Sequence, residues 1–184
     1  NEFIWKFFYK IINNSNAIIN LVPPTAPEES LVFKPVKGAS AINSISYTGQ
    51  SKSGTVIIHD YNYFSDLAAI ELDGADYFNF SNLTVKSLDS AAAMGIWLRN
   101  NADSNHFQNI NIVLPFECAL FTGIALNIGG TLYQGNISMF DKGFPGGSHN
   151  TFDSLEFEGG YLHLRLQHSN DTHSYAEGNI FRFL

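Results

Sequence analysis

The sequence predicts an all-β chain, a parallel β-helix solenoid with a short N-terminal capping helix. Two observations predict it. A five-residue motif returns four times with variation, as Ala69-Ile-Glu-Leu-Asp, Gly95-Ile-Trp-Leu-Arg, Gly123-Ile-Ala-Leu-Asn and Tyr161-Leu-His-Leu-Arg. A second motif follows each copy, built on Phe, an amide or small polar residue and two apolar residues. Its copies are Phe80-Ser-Asn-Leu-Thr-Val, Phe107-Gln-Asn-Ile-Asn-Ile, Phe152-Asp-Ser-Leu-Glu-Phe and the incomplete Phe181-Arg-Phe-Leu. A fixed pair of short strands that recurs with insertions between its members is the signature of a solenoid.

Spacing selects the kind of solenoid. The first motif recurs after 26, 28 and 38 residues and the second after 27, 45 and 29. The short steps suit one coil of a parallel β-helix. The long ones contain a Gly-rich excursion at 131–148 and a polar one at 169–177, and insertions in such folds go to loops. An earlier segment, Ile42-Asn-Ser-Ile-Ser-Tyr, has the internal spacing of Phe80, Leu83 and Val85, so the helix is expected to run over 32–184.

Alternation places Ile70 and Leu72 on one face of the first strand and Glu71 and Asp73 on the other. In the second motif Phe80 lies three residues before Leu83, which needs a bend. The bend falls at Asn82, Asn109 and Ser154, and Asn tolerates the left-handed backbone that a corner requires. Further amides precede the Phe by two residues at Asn105, Asn150 and Asn179, as expected for stacked hydrogen-bonded ladders. His106 and His149, ahead of two of the Phe strands, read as equivalent corner residues.

At the N-terminus, Ile4, Phe7, Phe8, Ile11 and Ile12 fall at helical spacing. Residues 1–31 therefore read as a capping helix followed by a stiff linker at Pro23, Pro24 and Pro27. The chain opens without Met and stops inside a motif, so it reads as part of a larger surface protein.

Charged residues make up 15% and aromatics 14%, with 16 Phe, which suits a narrow core of stacked rings. A net charge of −7 without a Lys/Arg cluster argues against nucleic acid as a partner. Apolar runs are far short of the ~18 residues of a membrane span, so no membrane insertion is expected. Cys118, in an apolar setting, reads as a buried thiol and excludes an internal disulfide.

The stretch from Asp73-Gly-Ala-Asp-Tyr to Val85, with Gly95-Ile-Trp-Leu and Asn105-His-Phe-Gln-Asn-Ile-Asn-Ile, resembles right-handed parallel β-helix repeats of the pectin-lyase-like class. It is most similar to those of large exported cell-surface proteins of Bacteroidetes-type bacteria. Phe157-Glu-Gly-Gly-Tyr-Leu-His-Leu resembles the strand–Gly-Gly–Tyr–strand step of that class. The resemblance covers about 32–184 and implies a secreted or bacterial cell-surface location. It says little of activity, because this fold hosts lyases, hydrolases, tailspikes and inert adhesins alike.

Enzyme signatures of the class are sparse. The Asp-Asp, Gly-His-Gly and Arg-x-Lys motifs of polygalacturonase-like hydrolases are absent. Lyases of the class resemble one another in a calcium site of several carboxylates on one strand face. Only Glu71 and Asp73 form such a pair here, and Trp97 and Arg99 follow them in the next copy. No catalytic residue is assigned. No cofactor is expected, apart from Ca²⁺ under a lyase reading.

The outward column of the first strand is the candidate binding site. Stacking the motif copies puts Glu71, Trp97, Ala125 and His163 in one exposed row and Asp73, Arg99, Asn127 and Arg165 in the next. An exposed indole flanked by carboxylate, guanidinium and amide groups suits a sugar ring, and Trp97→Ala is expected to weaken glycan retention without changing unfolding. The bland alternative is cross-strand ion pairing with Trp97 under the 131–148 loop. His163, His168 and His173, with Asp171, lack the spacing of a zinc site, so no metal is assigned. Adjacent residues such as His59 and Asp60 point to opposite faces of a strand.

Three function classes follow. The leading one is a non-catalytic secreted or cell-surface module that displays loops and binds a polysaccharide or cell-surface glycan. The others are a polysaccharide lyase or hydrolase acting on an acidic polysaccharide and a phage tailspike-like fibre.

Overall fold

The computed structural model describes residues 18–21, 31–59, 68–88, 94–117, 123–129, 133–134, 137–138, 146–167 and 177–182. All regular structure among them is β, with parallel strands in two sheets. The strands are β1 (Ile18–Leu21), β2 (Leu31–Phe33), β3 (Ile45–Thr48), β4 (Val56–His59), β5 (Ala68–Asp73), β6 (Phe78–Ser87) and β7 (Met94–Arg99). They continue as β8 (His106–Val113), β9 (Ile124–Gly129), β10 (Tyr133–Gln134), β11 (Ile137–Ser138), β12 (Thr151–Glu158), β13 (Leu162–Gln167) and β14 (Ile180–Arg182).

One sheet runs β1-β4-β6-β8-β12-β14, with β3 pairing the first half of β6 and β4 its second half. The other runs β13-β9-β7-β5-β2, and β10 and β11 form a small antiparallel pair. Successive long strands alternate between the two large sheets, and neighbours within each sheet follow sequence order. Both faces of β5, β7 and β9 are buried, which explains why these strands read as almost continuous apolar runs.

The core lies between the sheets. Ile70, Leu72, Ile96, Leu98, Leu126 and Ile128 meet Phe80, Leu83, Val85, Phe107, Ile110 and Ile112 there. Phe80, Phe107, Phe152 and Phe181 stand in register, and their rings stack at 5.2, 5.2 and 4.9 Å. The bend expected after each Phe is present, with φ of 55° at Asn82, 53° at Asn109 and 55° at Ser154. Asn109 Nδ2 donates to Asn82 Oδ1 at 2.7 Å, so one corner residue braces the next.

A second corner explains the other amides. The backbone N–H of Phe78 donates to Asn105 Oδ1, that of Asn105 to Asn150 Oδ1 and that of Asn150 to Asn179 Oδ1, at 2.9, 2.8 and 2.8 Å. The same side chains donate from Nδ2 to the carbonyls of Ala75, Ala102 and Gly147. Each Asn thus satisfies two backbone groups of the preceding repeat that burial would otherwise orphan. The ladder joins side chain to main chain, rather than amide to amide. Gly147 has to lack a side chain, because a Cβ there would lie 1.9 Å from the Ala102 carbonyl oxygen.

Several expectations are corrected. Residues 18–21, the end of the segment expected to be helical, form β1 and pair with β4; the rest of the capping helix falls outside the described residues. Sheet structure therefore begins ahead of residue 32. Tyr47, not Ile42, is the partner of Phe80, because Ser40–Asn43 closes a local bridge and leaves Ile42 exposed. His106 pairs with Thr151, whereas His149 stands three residues before Phe152, so the two histidines occupy different repeat positions. Cys118, His168, His173 and Asp171 lie outside the described residues.

Candidate functional site

The first-strand column of the five-stranded sheet carries the chain's densest group of charges among the described residues. Strand register places Glu71 against Trp97 and Asp73 against Arg99, as the motif copies predict. The rows then slip by two residues. Trp97 pairs with Asn127 and Asn127 with Arg165, so the true row is Glu71, Trp97, Asn127 and Arg165. Ala125 and His163 belong with Gly95 instead, and Arg99 is followed by Gly129. The cause is local: Ile124-Ala-Leu-Asn-Ile can be aligned at either of two settings, and the observed one turns Ile124 to the Trp97 side and Ala125 into the main core.

Trp97 is also buried, at 4% exposure, which corrects the expectation of an open platform. Alternation turns it away from Ile96 and Leu98, and it joins Ala68, Met94 and Ile124 in a second apolar cluster with Leu162 against it. Its Nε1 donates to the Gly129 carbonyl at 3.3 Å. The Arg99 guanidinium carbon sits 4.9 Å from the ring centroid, within cation–π range.

Around the indole the charges close on one another. Arg99 Nε donates to Glu71 Oε1 at 2.8 Å, and Nη2 lies 2.5 Å from the same oxygen and 3.4 Å from Asp73 Oδ2. Asp73 also accepts from Lys34 Nζ and from Asn100 Nδ2. Burial pushes the Glu71 carboxyl above its ordinary range, against the charge and hydrogen bond of Arg99. Desolvation pushes Asp73 up as well. Hydrogen bonds from Lys34 and Asn100, together with the Arg99 charge, hold it below its ordinary value.

Lys34 and Asn100 were not picked out from the sequence. The signal for Lys34 was present: Leu31-Val-Phe-Lys repeats the apolar–x–apolar–polar pattern, and Val32 pairs with Glu71. Of the remaining candidates, Asn127 is fully buried, and neither Oδ1 nor Nδ2 finds a hydrogen-bond partner among the described residues. His163 is exposed and stacks on Phe157 at 5.4 Å, and Arg165 is half-buried. The structure therefore joins Glu71, Asp73, Trp97 and Arg99 into one cluster and sets His163 apart from it.

The outward columns of the seven-stranded sheet are different in kind. One carries Ser46, Asn79, His106 and Thr151 in register, and the next Thr48, Ser81, Gln108 and Asp153. Asn79 Nδ2 donates to Ser44 and Ser46, and Ser81 Oγ to Thr48. Hydroxyl and amide groups thus repeat there at strand spacing, largely without charge. Among the described residues no group of three His, Cys, Asp or Glu could hold a metal ion.

No protein-family model matches the chain, and neither a curated protein nor a solved structure matches it.

Proposed function

We propose that the chain is a stretch of right-handed parallel β-helix from a secreted or bacterial cell-surface protein. In this reading it is a non-catalytic module that displays loops and binds a polysaccharide or cell-surface glycan on a rigid rod. The observation that carries the reading is the contrast between the two sheets. The charged groups of one are closed on one another, whereas the outward columns of the other offer rows of hydroxyl, amide and imidazole groups at about 4.8 Å spacing. Such rows suit the hydroxyls of a sugar chain, and their stiffness lowers the ordering cost of binding. The Glu71–Arg99–Asp73 cluster then serves as support beneath Trp97, while His163 and Arg165 remain contact candidates on that sheet.

One observation favours a second reading, a lyase or hydrolase acting on an acidic polysaccharide, with Ca²⁺ assisting in the lyase case. Glu71 and Asp73 stand side by side with their carboxyls displaced in opposite directions, an arrangement found in acid/base pairs. Against it, Glu71 is 5% exposed and already bonded to Arg99. The experiment is to incubate the purified chain with a polysaccharide panel, with and without Ca²⁺, and follow both retention and release of unsaturated or reducing products. Retention without release supports the binding module. Release would transfer the assignment to an enzyme, and silence in both would leave a structural segment.

A further inference from the structure

We propose that a neutral sugar ring is held in a cleft at the edge of the seven-stranded sheet, between Tyr77 and His149; the proposal rests on the glycan reading above and names its site. The cleft has a volume of about 380 Å³ and is lined chiefly by Tyr77, Asn79, Ser104, His106, His149 and Thr151.

The geometry follows from the second corner. Tyr77, Ser104 and His149 each occupy the residue just before a ladder position, and all three have left-handed backbones, with φ of 62°, 57° and 58°. Their N–H groups donate to the carbonyls of Asp103, Ser148 and Glu177, so the three repeats stay stacked at this column. Two strand spacings, about 9.6 Å, separate the outer members. A ring stacked between two other rings at van der Waals contact needs about 7–8 Å. Ser104, the middle member, is small and leaves that gap open.

The imidazole of His149 is set from the far side. Gly178 is the next residue of the column, and a Cβ there would come within 2.4 Å of His149 Nδ1. The ring therefore lies close against the bare Gly178 backbone, and Ser104 is the neighbour of His149 on the other side of the column. Below the gap, Asn79, His106 and Thr151 supply amide, imidazole and hydroxyl groups in one register row. Asn79 uses its Nδ2 on Ser44 and Ser46, which leaves Oδ1 to accept from a ligand hydroxyl. No carboxylate, ammonium or guanidinium group lines the cleft among the described residues, so the ligand class is uncharged: stacking from two rings, hydrogen bonds from the row below.

Asparagine readily adopts left-handed backbone, so Tyr77→Asn and His149→Asn remove a ring without straining the corner. Ser104→Asn keeps the same backbone and fills the gap. The whole chain is titrated calorimetrically with neutral oligosaccharides of glucan, mannan and galactan, with oligogalacturonate as the acidic comparison. A neutral oligosaccharide should bind, and each variant should weaken it by about three- to tenfold, the scale of a lost ring stack, with unfolding temperature unchanged. Binding that all three variants leave intact would overturn the cleft while sparing the glycan reading. Binding of oligogalacturonate alone would overturn the neutral class. Absence of binding across the panel would overturn both.

Discussion

Replacing Arg99 by Met is the sharpest perturbation of the buried charge cluster. Glu71 is 5% exposed and takes two contacts from one guanidinium, at 2.8 and 2.5 Å. Methionine keeps an apolar stem beside Trp97, so little packing is lost, but the carboxylate is stranded. Removing one partner of a buried pair costs about 3–5 kcal/mol, with about 0.5–1 kcal/mol more for the lost cation–π contact. Glu71 can limit the damage by taking up a proton, which burial already favours. A cost of about 3–4 kcal/mol at pH 7 is therefore expected. At about 2–4 °C per kcal/mol for a chain of this size, the midpoint should drop by about 6–16 °C. The assay is thermal unfolding followed by circular dichroism at pH 7 and near pH 4.5. The loss should shrink at the lower pH, where the stranded carboxylate is protonated. Glu71→Gln combined with Arg99→Met should recover most of it, because an uncharged pair needs no counter-ion. A loss of less than about 1 kcal/mol at pH 7, or a double variant as unstable as Arg99→Met alone, would refute the reasoning.

Three further outcomes are expected. Asn105→Ala leaves the Phe78 N–H and the Ala75 carbonyl without their partners at 2.9 and 2.8 Å, and urea unfolding should show a loss of about 2–4 kcal/mol. Trp97→Ala, expected from the sequence to leave unfolding unchanged, should instead cost about 3–5 kcal/mol as a buried cavity, measured by the same denaturation. The Glu71 carboxyl titrates higher in the folded chain than in the unfolded one, so the folded state binds the extra proton. Its contribution to stability falls as pH rises from about 4.5 through the raised folded value, and Glu71→Gln should remove that slope. Asp73 acts with the opposite sign: its stabilisation is present above its ordinary value of 3.8 and is lost as pH falls through its lowered folded value.

The β6, β8 and β12 part of the seven-stranded sheet was legible in the sequence because two signals pin its register, whereas β1, β3 and β4 were not. A Phe and a corner amide at fixed separation align in only one way, and the structure stacks Phe80, Phe107 and Phe152 as that alignment requires. The five-stranded sheet had no such pin. Motif alignment matches Gly95 with Gly123, whereas it pairs with Ala125; the better guide is residue size at this strand position. A Cβ on Gly95 would sit 2.4 Å from Ile112 Cγ2 and 2.5 Å from the Ala125 carbonyl oxygen, so the column Ala69, Gly95 and Ala125 admits only small residues. Alternation showed correctly that Trp97 faces away from Ile96. It carries no information on what else lies over that face, which is why the indole was expected in solvent. The cleft at Tyr77 is not legible in the sequence because its three walls are unlike one another. What they share is a backbone sign, visible in the sequence only as the residue between an Asp or Ser and a ladder position.

The asparagine ladder has a direction. Asn105 fastens the backbone at Ala75 and Phe78, Asn150 fastens Ala102 and Asn105, and Asn179 fastens Gly147 and Asn150. Each repeat is thus latched by the one that comes after it. A chain that emerges N-terminus first lays down a repeat and then locks it with the next, so every stage of synthesis leaves a single unlatched layer. Tension applied from the other end undoes the latches in reverse order, one layer at a time.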